Sequence, residues 1–128
     1  MIFLILDEVL AIHARAIDEI GGSHGLLDEG KLLSALTAPQ NRYYYEDADL
    51  VACAATYAYH LTQAHAFLDG NKRTATASTA AFIYANDANW APSKDELVDV
   101  FLKIASGELS REHVEHVFRQ WIVVPETH

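Results

Sequence analysis

Residues 65–73 read His-Ala-Phe-Leu-Asp-Gly-Asn-Lys-Arg, and their types and spacing suit one kind of chemistry. His65 has the side chain whose ordinary pKa permits proton transfer near neutral pH. Asp69 offers a carboxylate of the kind that holds Mg2+, a cation bound through one or two carboxylates plus phosphate oxygens. Gly70 lets the backbone approach an anion closely, and the helix that follows aims free N–H groups and the positive end of its dipole at it. Lys72 and Arg73 add two cations, Arg73 with a planar fork that matches phosphate oxygens. A base, a metal carboxylate and an anion cradle together are the equipment for moving a phosphoryl or nucleotidyl group onto a hydroxyl. Positioning and charge neutralisation do most of such work. The same residues also read as a plain Asp-Gly-Asn turn followed by solvated cations. Against that, cations at a helix N-terminus oppose the dipole by about 0.3–1 kcal/mol each, an unfavourable local choice made twice.

The elements that must position this segment are helical. Six stretches carry helical periodicity. The first has Leu6, Val9, Ile12, His13, Ala16, Ile17 and Ile20 on one stripe, with Asp7 expected as N-cap and Gly21-Gly22 as its stop. A short second helix is expected from Asp28 and to end before Pro39. The third opens near Asp47 and the fourth near Asn71, with residues 65–73 in the loop between them. Ser93 and Ser110 are expected to cap the fifth and sixth. Residues 74–81, small on every side, suit a central helix surrounded by the others. Only Phe3–Ile5 and Asn41–Tyr45 have the composition to be extended. The expected fold is therefore all-α: one compact domain over 1–128, a bundle of about six helices around a central one, with a short extended flap.

Composition narrows the function. With 128 residues, 51% of them apolar, the chain can bury one real core and is not disordered. No run free of charged or strongly polar residues reaches the roughly 18 that a membrane span requires. The apolar Ile2–Leu6 is too short for a signal peptide and runs straight into Asp7-Glu8. Cys53 is the single cysteine, so no internal disulfide forms and a cytoplasmic location is expected. Eighteen acids against nine bases argue against direct nucleic-acid binding. Phosphate must therefore be served by a local cluster of base.

Other candidate residues read as structural. His13 falls on an apolar stripe and is expected to be a satisfied core histidine. His60 and His65 are five apart, a poor metal pair on a helix. His113 and His116 are three apart, whereas the zinc-helix motif needs four. Cys53 reads as a small core hydrophobe.

The segment 65–73 resembles the signature of the Fic/Doc superfamily, His-x-Phe-x-(Asp/Glu)-Gly-Asn-x-Arg, matched by His65, Phe67, Asp69, Gly70, Asn71 and Arg73. Ile12-His13-Ala14-Arg15, followed by Gly21, Gly22, Gly25, Asp28 and Gly30, resembles the N-terminal half of the death-on-curing (Doc) branch in particular. Lys72 stands where the superfamily's adenylyltransferases generally carry a second Gly, and Thr76 where they carry a second Arg. The resemblance implies ATP as substrate, held so that its γ-phosphate occupies the cradle and passes to a Ser or Thr hydroxyl. Lys72 fills space and adds charge where the adenylyltransferases leave room for the α-phosphate. It implies His65 as general base, Asp69 as the Mg2+ ligand, Gly70, Asn71, Lys72 and Arg73 as triphosphate binders, and Phe67 as the loop's anchor in the core. It implies a target-docking flap at residues 39–45, including Asn41, Arg42, Tyr43 and Tyr44. It further implies a toxin of a type II toxin–antitoxin pair that arrests translation, with elongation factor Tu as target and a cognate antitoxin that folds across it. AMP transfer, and a catalytically idle binding module, are the alternatives.

Overall fold

The computed structural model describes residues 1–125. Its elements run α1 (Leu6–Ile20), α2 (Glu29–Glu46), α3 (Leu50–Ala64), α4 (Asn71–Ala85), β1 (Asn89–Trp90), α5 (Lys94–Ser106), α6 (Arg111–Trp121) and β2 (Ile122–Val123). The six helices expected from periodicity are all present. Asp28, Ser93 and Ser110 cap α2, α5 and α6 as expected, their side chains accepting from the N–H of Lys31, Glu96 and His113. Two starts shift. Ile5, not Asp7, is the first residue of the α1 cap, and its N–H donates to Glu8 Oε1 at 2.9 Å. The third helix opens at Leu50 with Asp49 as its cap, a little beyond Asp47, which serves as the left-handed C-cap of α2.

The centre of the bundle is α3 rather than α4. Eleven of the fifteen α3 residues are buried, against six of fifteen in α4. The run Ala52-Cys53-Ala54-Ala55 and Ala58 keep α3 thin on every side, so α2, α4, α5 and α6 all pack on it. Small residues of α4 such as Thr76 and Ala77 instead face a groove beside α1 and α5.

The second helix does not stop at Pro39. It continues to Glu46 with Pro39 buried inside it, despite the roughly 3 kcal/mol that an interior proline costs. The gain lies beyond the proline. Arg42 Nη1 donates to Thr56 Oγ1 at 2.9 Å and sits 3.4 Å from Glu115 Oε2, and Tyr43 packs edge-on against Phe3 at 5.5 Å between ring centroids. Continuing the helix is what brings Arg42 onto α3 and α6 and Tyr43 onto Phe3. Residues 41–45 are consequently helical, and Asn41, Arg42, Tyr43 and Tyr44 form no extended flap. Helical N–H and C=O groups are spent within α2 and offer no edge for strand addition. Phe3–Ile5 forms no helix and no strand; the Leu4 N–H donates to the buried Tyr57 hydroxyl at 3.0 Å.

The extended segments lie elsewhere. β1 and β2 pair antiparallel, Trp90 opposite Ile122, and Trp90 packs on Phe118 and Trp121. A single bridge joins Leu26 to Phe67, so the α1–α2 connection runs beside the 65–73 loop.

An ion-pair clasp ties α6 to the start of α3: Arg119 reaches Asp49 at 2.8 Å and Glu115 at 2.9 Å. The Arg119 hydrogen bonds hold the Asp49 carboxyl below the ordinary carboxylate range, against the opposing effect of its partial burial. Cys53 is buried among apolar groups, which pushes its thiol up to about 11 and leaves it unreactive. No helix of the described residues is long and apolar enough to cross a membrane.

Candidate active site

The loop that joins α3 to α4 is pinned at both ends. His65 is the C-cap of α3 and adopts a left-handed backbone at φ +46°. Gly70 is the N-cap of α4 at φ +77°, a conformation that favours glycine, and a Cβ there would crowd Ile17 Cδ1 at 3.0 Å. Between them Phe67 is buried and anchors the loop. Asn71 clamps it: its Oδ1 accepts from the Phe67 N–H at 3.0 Å, and its Nδ2 donates to the Phe67 carbonyl at 2.8 Å. With both ends of its side chain so engaged, Asn71 has its backbone N–H left to offer an anion.

The structure brings the whole expected set to one place. His65, Asp69, Gly70, Asn71, Lys72 and Arg73 line a cavity of about 240 Å³, with Thr62, Leu68 and Ala105 completing the wall. His65 and Lys72 are exposed at its mouth. The start of α4 differs from those of α2, α3, α5 and α6 in carrying no side-chain cap. Its first-turn N–H groups, which a helix cannot satisfy itself, therefore open toward the cavity. Arg73 adds a buried Nη1 with no hydrogen-bond partner among the described residues, while its Nη2 reaches the Gly21 carbonyl only weakly, at 3.4 Å. A buried guanidinium N–H left unpaired is costly, and a phosphate oxygen is the partner its fork fits best.

Asp69 is exposed, and each of its carboxylate oxygens accepts one backbone N–H: Oδ1 from Gly70 at 3.1 Å and Oδ2 from Ser23 at 3.2 Å. An ionised carboxylate has about four lone-pair positions, so both oxygens keep capacity for a cation. No group of three or more His, Cys, Asp and Glu that could cage a metal is found among the described residues. One carboxylate beside an anion cradle fits Mg2+, whose remaining ligands are phosphate oxygens and water.

Sequence reasoning missed two contributors. His13 is the satisfied core histidine expected of it, 4% exposed, yet its partner is the site loop itself: Nε2 lies 2.8 Å from the Asp69 carbonyl. The α1–α2 connection is the second. Ser23 touches Asp69, the Leu27 N–H donates to the Ala66 carbonyl at 2.7 Å, and the Leu68 N–H donates to the Gly25 carbonyl at 2.9 Å. The sequence signal for both was the Ile12-His13-Ala14-Arg15 run with the glycines at 21, 22 and 25. A Cβ on Gly22 would come within 2.8 Å of Asp69 Oδ2, so that glycine makes room for the carboxylate. The expected docking residues Asn41, Arg42, Tyr43 and Tyr44 lie on α2 and are not among the residues lining the cavity.

This mostly helical scaffold, with its signature loop between α3 and α4, is that of the Fic/DOC family, whose model matches residues 3–83; the chain belongs to it. It is similar to a protein named Protein kinase doc, from Escherichia phage P1. The two are 34% identical over 115 residues, which is 89% of this chain and 90% of that protein.

Proposed function

We propose that this chain, as one Fic/Doc-like domain over 1–128, is a Doc-type protein phosphotransferase that passes the γ-phosphate of ATP to a Ser or Thr hydroxyl. The observation that supports this most is the uncapped start of α4, with the Arg73 Nη1, unpartnered among the described residues, beside it and His65 across the same small cavity. The similarity to a named protein kinase favours γ-phosphate transfer over AMP transfer. In the reaction, His65 takes the proton of the acceptor hydroxyl as its oxygen attacks the γ-phosphorus. An O–P bond forms, the bond to the β-phosphate oxygen breaks, and ADP leaves. The α4 N–H groups, Lys72 and Arg73 hold the transferred group's oxygens while charge spreads over them. Asp69 would hold Mg2+, which when bound neutralises phosphate charge. Phe67 and Asn71 keep the loop rigid.

The acceptor belongs to a translation factor, elongation factor Tu, met in the cytoplasm, and the product arrests translation. Residues 22–27, rather than 39–45, run beside the 65–73 loop, with Leu26 bridged to Phe67, where a target segment would lie. The cognate antitoxin docks in the groove between α1, α4 and α5, a cavity of about 680 Å³. Ile20, Tyr84 and Val98 line it and are each more than half exposed. Four of the chain's nine bases, Arg15, Lys72, Arg73 and Lys94, stand around it against a single acid, Glu19. That complement fits an amphipathic helix with an acidic face.

Incubation with a cell extract and ATP labelled at either the α or the γ position tests the activity. Label is expected on a protein only from the γ position. Transfer of the α label would make the chain an adenylyltransferase, and no transfer of either label would leave it an idle binding module. In cells producing both proteins, Val98→Asp is expected to restore growth arrest by displacing the antitoxin, with label transfer unchanged. Continued neutralisation would place the antitoxin elsewhere.

A further inference from the structure

We infer that His13 is a positioning residue for the anion cradle: it holds the Asp69–Gly70 peptide so that the Gly70 N–H faces the cavity. A carbonyl only accepts, so the 2.8 Å contact between His13 Nε2 and the Asp69 oxygen requires the imidazole proton on Nε2. Because the peptide is trans, its C=O and N–H point in opposite directions. Drawing the Asp69 carbonyl inward to His13 therefore turns the Gly70 N–H outward, where it now meets Asp69 Oδ1 at 3.1 Å on the side of the cradle.

Glycine makes this control necessary. Gly70 has no Cβ to resist rotation of the preceding peptide plane, and it already sits at φ +77°. A rotated peptide would present a carbonyl dipole to an incoming phosphate, replacing attraction by repulsion. His13 is itself fixed. It is 4% exposed and lies flat on Phe67, with ring centroids 3.8 Å apart and planes 9° from parallel. The ring also stands 3.7 Å from where a Gly70 Cβ would be, so it supports the turn from below. One side chain of α1 thus joins the loop's buried anchor to the Gly70 amide at the cavity wall.

The inference rests on the phosphotransferase reading for its kinetic effect but not for its geometry, and the two are separable. His13→Leu removes the donor at similar size, whereas His13→Gln places an amide N–H near the position of Nε2. The Leu variant is expected to bind magnesium-ATP about tenfold more weakly and to transfer label about 10²-fold more slowly, the order of effect of losing one positioned donor. The Gln variant is expected to stay within about threefold of the parent on both counts, since it keeps one hydrogen bond worth about a factor of ten. Nitrogen NMR of the unliganded parent is expected to show the His13 proton on Nε2, and the Gly70 amide signal to move in the Leu variant and return in the Gln variant. These signals need no turnover, so they judge the role of His13 even if no label moves. A proton found on Nδ1 alone overturns the inference. So does a folded Leu variant with parental ATP affinity, or a folded Gln variant as impaired as Leu. If the Leu variant does not fold, the parent tautomer and the Gln variant decide.

Discussion

Replacing His65 by asparagine is expected to lower transfer of the γ label by about 10²–10⁴, the usual worth of a positioned general base. Binding of magnesium-ATP and the thermal midpoint should barely change. The reasons lie in where the residue sits. His65 is exposed at the mouth of the cavity, so its loss opens no hole in the core. It caps α3 with a left-handed backbone at φ +46°, a conformation that asparagine tolerates better than alanine, so His65→Asn separates chemistry from strain. The cradle at the start of α4 remains intact, and residual transfer should reflect its contribution alone. Label transfer, calorimetric ATP binding and a melting curve on the same preparation make the test. Full activity in the variant would remove His65 from the mechanism, and loss of ATP binding would show it to be part of the cradle instead.

The distance between what the sequence foretold and what the fold contains follows the range of the forces involved. Caps are local: Asp28, Ser93 and Ser110 bond to N–H groups three residues on, and a reader of the sequence finds them. The residues of the cavity were legible for the same reason, since His65 to Arg73 are contiguous and a helix start is a local event. What escaped was set by tertiary contact. Pro39 reads as a helix end until Arg42 and Tyr43 are seen reaching α3, α6 and Phe3. The small residues of α4 read as central, yet α3 is the helix enclosed on all sides and α4 lends its small face to a groove. The bridge between Leu26 and Phe67 involves one residue on each side, too little for any alternating pattern to announce. His13 shows the limit most clearly. Its burial could be read from its stripe, but its bond to Asp69, 56 residues away, could not.

Arg73→Met is expected to reduce label transfer by about 10²–10³, as loss of a preorganised donor to the transition state does, while leaving the thermal midpoint unchanged or slightly raised. The opposition in sign is the informative part. Methionine keeps an apolar stem of similar reach and removes the guanidinium. In the unliganded protein that group contributes little: Nη2 makes one long contact to Gly21 at 3.4 Å, and the buried Nη1 makes none among the described residues. Removing a buried donor that lacks a partner relieves desolvation, so the folded state loses nothing it was using. Only when phosphate fills the cavity does the fork find its acceptors, and only then should its absence be felt. Arg73→Lys sharpens the comparison. It keeps one positive charge but not the two parallel N–H groups, so it should recover only a minor part of the rate. Melting curves without ligand, melting curves with magnesium-ATP and label transfer together decide the matter. If Arg73→Met lowers the unliganded midpoint as much as it lowers the ATP-bound one, Arg73 braces the loop in its own right and the cavity's affinity for phosphate must come from Lys72 and the α4 amides. If the midpoint falls only in the ligand-bound protein, the unpaired Nη1 was held open for the nucleotide.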